Sequence, residues 1–247
     1  VAIERINFLR LPIDVVAPED LESTILELLT REGPQHIMLV NLWDVLRAKY
    51  RSEYRAMLMS AALVIPTSLS LVRGAVFLKK TKPVRYQPFV FIISVLGVLE
   101  KYRKNLYLLG ARPHSLIQAE KNVRSTFPGL PVVGRFSGYY HRGMEHNILT
   151  AIHKAHPSLV LVGDGIPGSQ RWVHRNRKSL HSGLFIHDPD VLDIFSKRKR
   201  RVSEKTFERG LEYFPQILKN PSRIFRIFQY LWYNILLLFY RLFRNAS

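Results

Sequence analysis

The sequence predicts an α/β fold, a mostly parallel sheet with helices on both faces, followed by a helical C-terminal appendage. Three observations carry that expectation. Short β-branched apolar runs alternate with longer amphipathic stretches over most of the chain. Glycine recurs where a strand run gives way to a helical one, at Gly110 and Gly163. From about Asp190 the alternation stops and charge dominates. Alternation of this kind favours parallel strands joined by crossover helices, and open sheets of that type bind ligands outside the carboxyl ends of their strands.

Taken in order, an opening strand is expected near Ile6–Leu11. Pro18 suits a first helical position, and Leu21, Ile25, Leu28 and Leu29 then line one face of a helix that runs to Arg31 and stops at Gly33-Pro34. His36–Val40 reads as a strand, Leu42–Lys49 and Glu53–Ala61 as short helices, and Leu63–Ile65 as a second buried strand ending at Pro66. Further on, Leu106–Leu109 is a strand closed by Gly110, Ser115–Phe127 a helix, Val132–Phe136 a strand, Met144–His156 a helix and Leu159–Val162 a strand closed by Gly163. Between these units, Pro88–Leu99 is almost wholly apolar. As a helix it covers only about 18 Å, short of the roughly 30 Å hydrocarbon core, so it is expected to be a buried or membrane-touching helix rather than a span. These boundaries give one core domain, Val1–His187, and an appendage over residues 188–247.

Composition narrows the function. The 247 residues include 37 Lys and Arg against 19 Asp and Glu, a formal charge of +18, with 47% hydrophobic residues and no cysteine. Wholesale disorder, disulfide frameworks, thiolate metal sites and cysteine nucleophiles are excluded. The first segment carries Glu4, Arg5, Arg10 and Asp14, which is not a signal-peptide layout, so a cytosolic body is expected. The positive excess calls for an anionic partner: nucleic acid, an anionic leaflet or a phosphate-rich substrate. Basic residues thicken from Arg171 through the run Lys197–Arg201, and the chain ends in an aromatic, apolar segment flanked by arginines. Basic beside apolar points to a membrane surface, and without a stacking or groove-reading motif no nucleic-acid partner is expected.

The richest stretch for chemistry is Leu159–Val173, LVLVGDGIPGSQRWV, a buried strand running into three glycines and a proline ahead of a basic helix. Backbone N–H groups at such a turn can cradle a diphosphate, although a tight strand-to-helix turn explains it equally. It matches neither the P-loop nor the dinucleotide fingerprint. Asp164 stands inside the turn, where either a general base or a turn-capping carboxylate would sit. His146, His153 and His156 lack a carboxylate in a ligand pattern, and no metal is expected. At the C-terminus, Ile227–Tyr240 carries no formal charge and would span about 21 Å as a helix. Arg223, Arg226, Tyr230, Tyr233, Leu237, Arg241 and Arg244 fall on one stripe, while Phe225, Phe228, Trp232, Ile235, Leu236 and Phe239 cover the rest. That is an interfacial profile, against the alternative of a helix packed on the sheet or on another subunit.

Three blocks resemble, in order, the WecG/TagA/CpsF glycosyltransferase family: Asn105–Tyr140, Leu159–Val173 and Arg209–Arg226. Leu39–Ala48 and Ala61–Leu71 resemble it more loosely. The resemblance implies a Rossmann-like core with a membrane-associating helical appendage. It implies a peripheral enzyme at the cytoplasmic face of the membrane, in the synthesis of bacterial cell-envelope polysaccharide. The implied reaction moves an N-acetylated hexosamine, typically N-acetylmannosamine, from a UDP-sugar onto a polyprenyl-diphosphate-linked sugar, with inversion and with neither metal nor cofactor. A homo-oligomer is compatible with it.

The resemblance also distributes roles, and departs where chemistry is expected. Asn41 stands at the family's Thr-x-Asn motif, with Leu39 in place of the threonine. Pro66-Thr67-Ser68 aligns with the family's Pro-Asp-Gly, so Thr67 replaces the proposed catalytic aspartate, and a threonine hydroxyl is no base at neutral pH. Arg85 is kept, but Pro88 and Val90 replace the glycine and aspartate that follow it. Gly163, Gly165 and Pro167 match Gly-x-Gly-x-Pro, and Gly168, Ser169 and Gln170 replace the Lys-Gln-Glu after it. Gly110 and Arg112 form a second candidate nucleotide turn; Asp193 and Arg201 fit later motifs, after HDPD at His187–Asp190, and Arg223 stands for the appendage. Two readings follow. Either the chain is a transferase whose base has moved, Asp164 being the substitute, with Asn41 and Thr67 completing the catalytic set, or it is a silent homologue that binds lipid diphosphate or sugar nucleotide or partners an assembly complex.

Overall fold

The computed structural model describes residues 3–212 and 226–243. It opens on a β-hairpin, β1 (Glu4–Phe8) and β2 (Leu11–Val15), paired antiparallel from Glu4↔Val15 to Phe8↔Leu11. The single strand expected over Ile6–Leu11 is thus two. Leu9 and Arg10 make the turn with φ of 51° and 66°, a left-handed pair usually given to glycine or asparagine, so the sequence carried no turn signal there.

After α1 (Leu21–Thr30) come β3 (Gln35–Val40), α2 (Leu42–Tyr50), α3 (Ser52–Met59), β4 (Leu63–Pro66), α4 (Leu69–Phe77) and α5 (Pro88–Lys101). The second half runs β5 (Leu106–Leu109), α6 (Pro113–Thr126), β6 (Val132–Phe136), α7 (Glu145–Ala155), β7 (Leu159–Val162), α8 (Arg171–Asn176) and β8 (Leu184–His187). Then follow α9 (Val191–Phe195), α10 (Glu204–Glu208) and α11 (Arg226–Phe243). Strands β3 to β8 form one sheet in the order β4-β3-β8-β7-β5-β6, with every neighbouring pair parallel. β8 completes the middle of the sheet, yet its four residues, LFIH, follow a basic loop and carry no periodicity long enough to predict a strand.

Apart from the half-open edge strand β6, the strands are largely apolar on both faces because both faces are covered. Ile37, Leu39, Leu63, Ile65, Leu106, Leu108, Leu159, Leu161, Leu184 and Ile186 point to one side, where α1, α5, α6 and α9 close over them. Pro88–Leu99 is accordingly a buried helix, with Phe91, Ile92, Val95, Leu96 and Leu99 fully inside. The alternate residues point the other way and divide into two cores. Met38, Val40 and Val64 pack with the hairpin, α2, α3, α4 and α11. Tyr107, Leu109, Val160, Val162 and Phe185 pack with α7, Ile166, Trp172 and Val173.

A buried carboxylate fastens the hairpin to the sheet. Asp14, 1% exposed, takes both ends of the Arg5 guanidinium at 2.6 and 2.9 Å and accepts the Val64 N–H at 2.6 Å. Val64 lies on the edge strand β4, so Asp14 satisfies an outward-facing backbone donor that would otherwise stand open to another chain. α11 then lies against the hairpin and α4. Tyr233, Leu236 and Leu237 are buried there, the Tyr233 hydroxyl donates to the Ser70 carbonyl at 2.8 Å, and Arg241 donates to the Phe77 carbonyl at 3.0 Å. The stripe bearing Tyr233, Leu237 and Arg241, read from the sequence as the headgroup side, is the side that faces the protein; Arg223 and Arg244 lie outside the described residues. No helix among the described residues is long and apolar enough to cross a membrane.

Two histidines are buried neutral. Burial pushes His36 from 6.5 down to about 3 and His187 down to about 4. The unfolded chain therefore takes up protons that the folded chain refuses, and stability that is full above pH 6.5 falls as the pH drops, by about 1.4 kcal/mol per pH unit for each imidazole. Asp188, raised to about 6 by burial, works in the opposite sense below that pH. His36→Leu isolates one share: urea titration should show the stability difference between about pH 6.5 and about pH 5 narrowed by about 2 kcal/mol. An unchanged difference would remove His36 from the acid response.

Candidate functional site

The carboxyl ends of the strands gather the candidate residues into two groups. Asn41 and Thr67 follow β3 and β4, with Arg85 reaching across to them, while Gly110, Arg112, Gly163, Asp164 and Gly165 follow β5 and β7. At about 4.8 Å between neighbours, the ends of β4 and β7 stand about 14 Å apart, with β3 and β8 between them.

In the first group the side chains hold structure. Asn41 caps α2: its Oδ1 accepts the N–H groups of Trp43 and Asp44 at 2.8 and 3.3 Å, and Asp44 answers by accepting the Asn41 N–H at 2.9 Å. This reciprocal capping box explains an asparagine at that position without any ligand. Thr67 is buried, and its hydroxyl donates to the Val40 carbonyl at 3.0 Å. Arg85 is the hub. Its Nε donates to the Thr67 carbonyl at 3.0 Å, one terminal nitrogen to the Phe207 carbonyl at 2.6 Å and the other to Glu212 Oε1 at 2.6 Å, while the guanidinium lies 3.7 Å from the centre of the Phe207 ring. The Arg85 and Glu212 side chains are 9% and 12% exposed. Sequence reasoning passed over Glu212; the only signal was its place inside the block Arg209–Arg226.

A cavity of about 250 Å³ opens beside this clamp, lined by Trp43, Ser68, Arg73, Arg209, Glu212 and Tyr230 among others. Two of these residues each carry a buried polar atom, Ser68 Oγ and Glu212 Oε2, without a hydrogen-bond partner among the described residues. Ser68 is also the N-cap of α4 but makes no side-chain capping bond.

In the second group, backbone contacts stitch the turns together. Ala111 N–H donates to the Asp164 carbonyl at 2.7 Å, Gly138 N–H to the Ala111 carbonyl at 2.8 Å and Tyr139 N–H to the Gly165 carbonyl at 2.7 Å. Gly110, at φ 115°, has room only for hydrogen: a Cβ there would meet the Asp164 carbonyl oxygen at 2.9 Å. The Ala111 N–H is thus engaged inside the protein, and the guanidinium of exposed Arg112, 5.8 Å from the Tyr139 ring centre, is the group that faces outward. Asp164 is exposed and accepts the Tyr139 hydroxyl at 2.6 Å. His187 ends β8 between the two groups, its Nδ1 buried and without a partner among the described residues.

A hydrogen-bonded chain joins Gln170 to Asn41. The buried Tyr54 hydroxyl donates to Asp44 Oδ1 at 2.7 Å and also meets Gln170 Oε1. Burial raises the Asp44 carboxyl above its ordinary value, and burial beside Asp44 raises the Tyr54 phenol as well. A second cleft of about 390 Å³ lies over this chain, lined by Arg47, Arg51, Glu53, Tyr54, Ser169, Gln170 and Arg171. Ser169 is exposed at φ 49°, and Pro167 is half-buried in the same turn. Asp193 lies in α9, 3.6 Å from Arg198, and Arg201 is exposed before α10. Arg223 lies outside the described residues. His153 lies in ring contact with His156 and His181, at 5.3 and 4.3 Å between centres, and among the described residues no group of three could hold a metal ion.

Removing the hub should be costly. Arg85→Leu leaves the Glu212 carboxylate enclosed without its counter-charge, a loss of about 3–5 kcal/mol, whereas Arg112→Leu on the surface should stay within about 0.5 kcal/mol of wild type. Denaturant midpoints of the two variants check this; equal midpoints would remove the hub role.

A family model for the glycosyl transferase WecG/TagA/CpsF family matches residues 6–247. Two similar curated proteins, from Bacillus spizizenii (strain ATCC 23059 / NRRL B-14472 / W23) and Bacillus subtilis (strain 168), are both described as N-acetylglucosaminyldiphosphoundecaprenol N-acetyl-beta-D-mannosaminyltransferase. Each is 24% identical to this chain, over 176 and 173 residues, or 71% and 69% of it. The matched stretch covers 68% and 66% of the relatives' own lengths. With the family match running over nearly the whole chain and the carboxyl-edge geometry in place, the chain belongs to the WecG/TagA/CpsF family of glycosyl transferases.

Proposed function

We propose that the chain transfers an N-acetylated hexosamine from a UDP-sugar to a polyprenyl-diphosphate-linked sugar during assembly of a cell-surface polysaccharide; the names of its relatives support the transferred group and the lipid-diphosphate acceptor. The observation that carries this reading is the continuity between the cavity at Ser68 and Glu212 and the exposed apolar side of α11. Tyr230 belongs to both. Beyond it Phe228, Leu231, Ile235, Leu238 and Leu242 stand open, Phe228 at 67% exposure. An acceptor with a hydrophilic sugar head and a lipid tail needs such a junction: the head and its diphosphate enter a cavity flanked by Arg73 and Arg209, while the tail stays in the bilayer.

In this reading the donor occupies the second group. Arg112 faces its diphosphate, and Asp164 with the Tyr139 hydroxyl faces donor hydroxyls. The acceptor hydroxyl attacks the anomeric carbon from the side opposite the nucleotide, which inverts that centre. The replacement of the family's aspartate by Thr67 supports a second reading, a silent binder of the same ligands. UDP calorimetry separates both from neither. Wild type should bind UDP at millimolar concentration or tighter, and Arg112→Ala should weaken binding about tenfold, about 1.4 kcal/mol for a charge-assisted contact. No heat with wild type would count against transferase and binder alike.

Membrane docking through α11, at the cytoplasmic face, belongs to the same proposal. Because Tyr233, Leu236 and Leu237 cover the protein's own core, deletion of the helix would expose that core, so point changes on its open side are the better probe. Phe228→Glu with Ile235→Glu should lower sedimentation with anionic liposomes at least tenfold while leaving the thermal midpoint near wild type. High salt should weaken binding of the intact chain without abolishing it. Unchanged sedimentation of the double variant would defeat docking through this face.

A further inference from the structure

We propose that Glu212 is the general base of the transfer, filling the role that Thr67 cannot; the inference rests on the transferase reading above. The Arg85 guanidinium is what places it. The same planar group that donates to the Thr67 carbonyl at 3.0 Å holds Glu212 Oε1 at 2.6 Å, so Arg85 brings a carboxylate that follows it by 127 residues in the chain against the end of β4. The other oxygen, Oε2, is buried and lacks a hydrogen-bond partner among the described residues, and so does Ser68 Oγ. Both residues line the same cavity of about 250 Å³.

A buried carboxylate oxygen with nothing to accept is costly, and such atoms in a native fold call for an explanation. An alcohol supplies one, because it donates one hydrogen bond and accepts another. An acceptor hydroxyl in this cavity donates to Glu212 Oε2 and accepts from Ser68 Oγ–H, which satisfies both atoms and fixes the direction of its remaining lone pair. In the transfer, the hydroxyl oxygen forms its bond to the anomeric carbon as its proton passes to Glu212 Oε2. The bond from that carbon to the β-phosphate oxygen breaks, and its electron pair leaves with UDP. No oxidant, reductant or metal enters the balance.

Asp164 fits the role less well. Its carboxylate accepts the Tyr139 hydroxyl at 2.6 Å, at the end of β7. The end of β4 lies about 14 Å from there, at three strand spacings. The two carboxylates thus stand three strands apart along the carboxyl edge, Asp164 with the turns assigned to the donor and Glu212 in the cavity assigned to the acceptor.

The test uses the full chain with UDP-N-acetylmannosamine and a short-chain polyprenyl-diphosphate N-acetylglucosamine, product being followed by mass. Glu212→Gln should lower kcat at least about a hundredfold, keep UDP affinity within about twofold of wild type, and lose the acidic limb of the kcat–pH profile. Adding Thr67→Asp to Glu212→Gln should restore at least about a tenth of wild-type kcat, since position 67 immediately precedes Ser68 in the lining of the same cavity. Wild-type kcat in Glu212→Gln overturns the assignment. So does a loss that comes with a lowered thermal midpoint and no rescue by Thr67→Asp, which would leave Glu212 as the tether of Arg85 alone. Absence of transfer by wild type overturns the transferase reading as well, and activity gained only on Thr67→Asp would identify a silent homologue.

Discussion

The guanidinium of Arg85 is the constraint on which the site depends. It receives nothing from its own neighbourhood in sequence; its partners are the end of β4, the backbone of Phe207 and the carboxylate of Glu212. A buried ion pair of this kind adds little net stability, because desolvation of both charges offsets most of the attraction. Its value is positional. A planar fork with fixed donor directions sets two groups at defined places relative to each other, and here it holds Glu212 in the lining of a cavity to which Ser68 and Arg73 also contribute.

The two faces of the sheet are finished differently, and that difference shapes the surface. One face is sealed by α1, α5, α6 and α9, with α9 supplying Val191, Leu192 and Phe195. The other is divided, and its outer half is closed only when the hairpin, α4 and α11 come together. Asp14 makes that possible by joining the hairpin to the edge strand through Val64. Consequently α11 cannot be regarded as a detachable anchor. One of its stripes completes a core, and the remainder presents apolar side chains outward beside the cavity, so that packing and exposure of the same helix are coupled.

Much of the fold was legible because its signals are local. Helix α1 announces itself through Leu21, Ile25 and Leu28 on one face, and the parallel strands through apolar runs that satisfy two covered faces at once. The hairpin was not, because Leu9 and Arg10 adopt left-handed backbone without the residues that usually mark it. β8 was not, because four residues give no period, and only the gap between β3 and β7 makes a strand of them. Likewise the order of strands along the sheet has no local signature.

For the site, the sequence itself displayed the chemistry available: glycine turns after β5 and β7, a basic surplus and an amphipathic end, to which the family resemblance adds the expectation of an aspartate where Thr67 stands. Those are matters of residue type, spacing and family pattern, which a linear chain displays. It did not say which carboxylate would stand where. Asp164 was the natural candidate on spacing, yet its oxygen faces Tyr139, and the residue brought to the end of β4 is Glu212. That assignment came from tertiary structure, because an ion pair between residues 127 positions apart depends on the crossing of distant segments, and nothing in either segment's composition encodes the meeting.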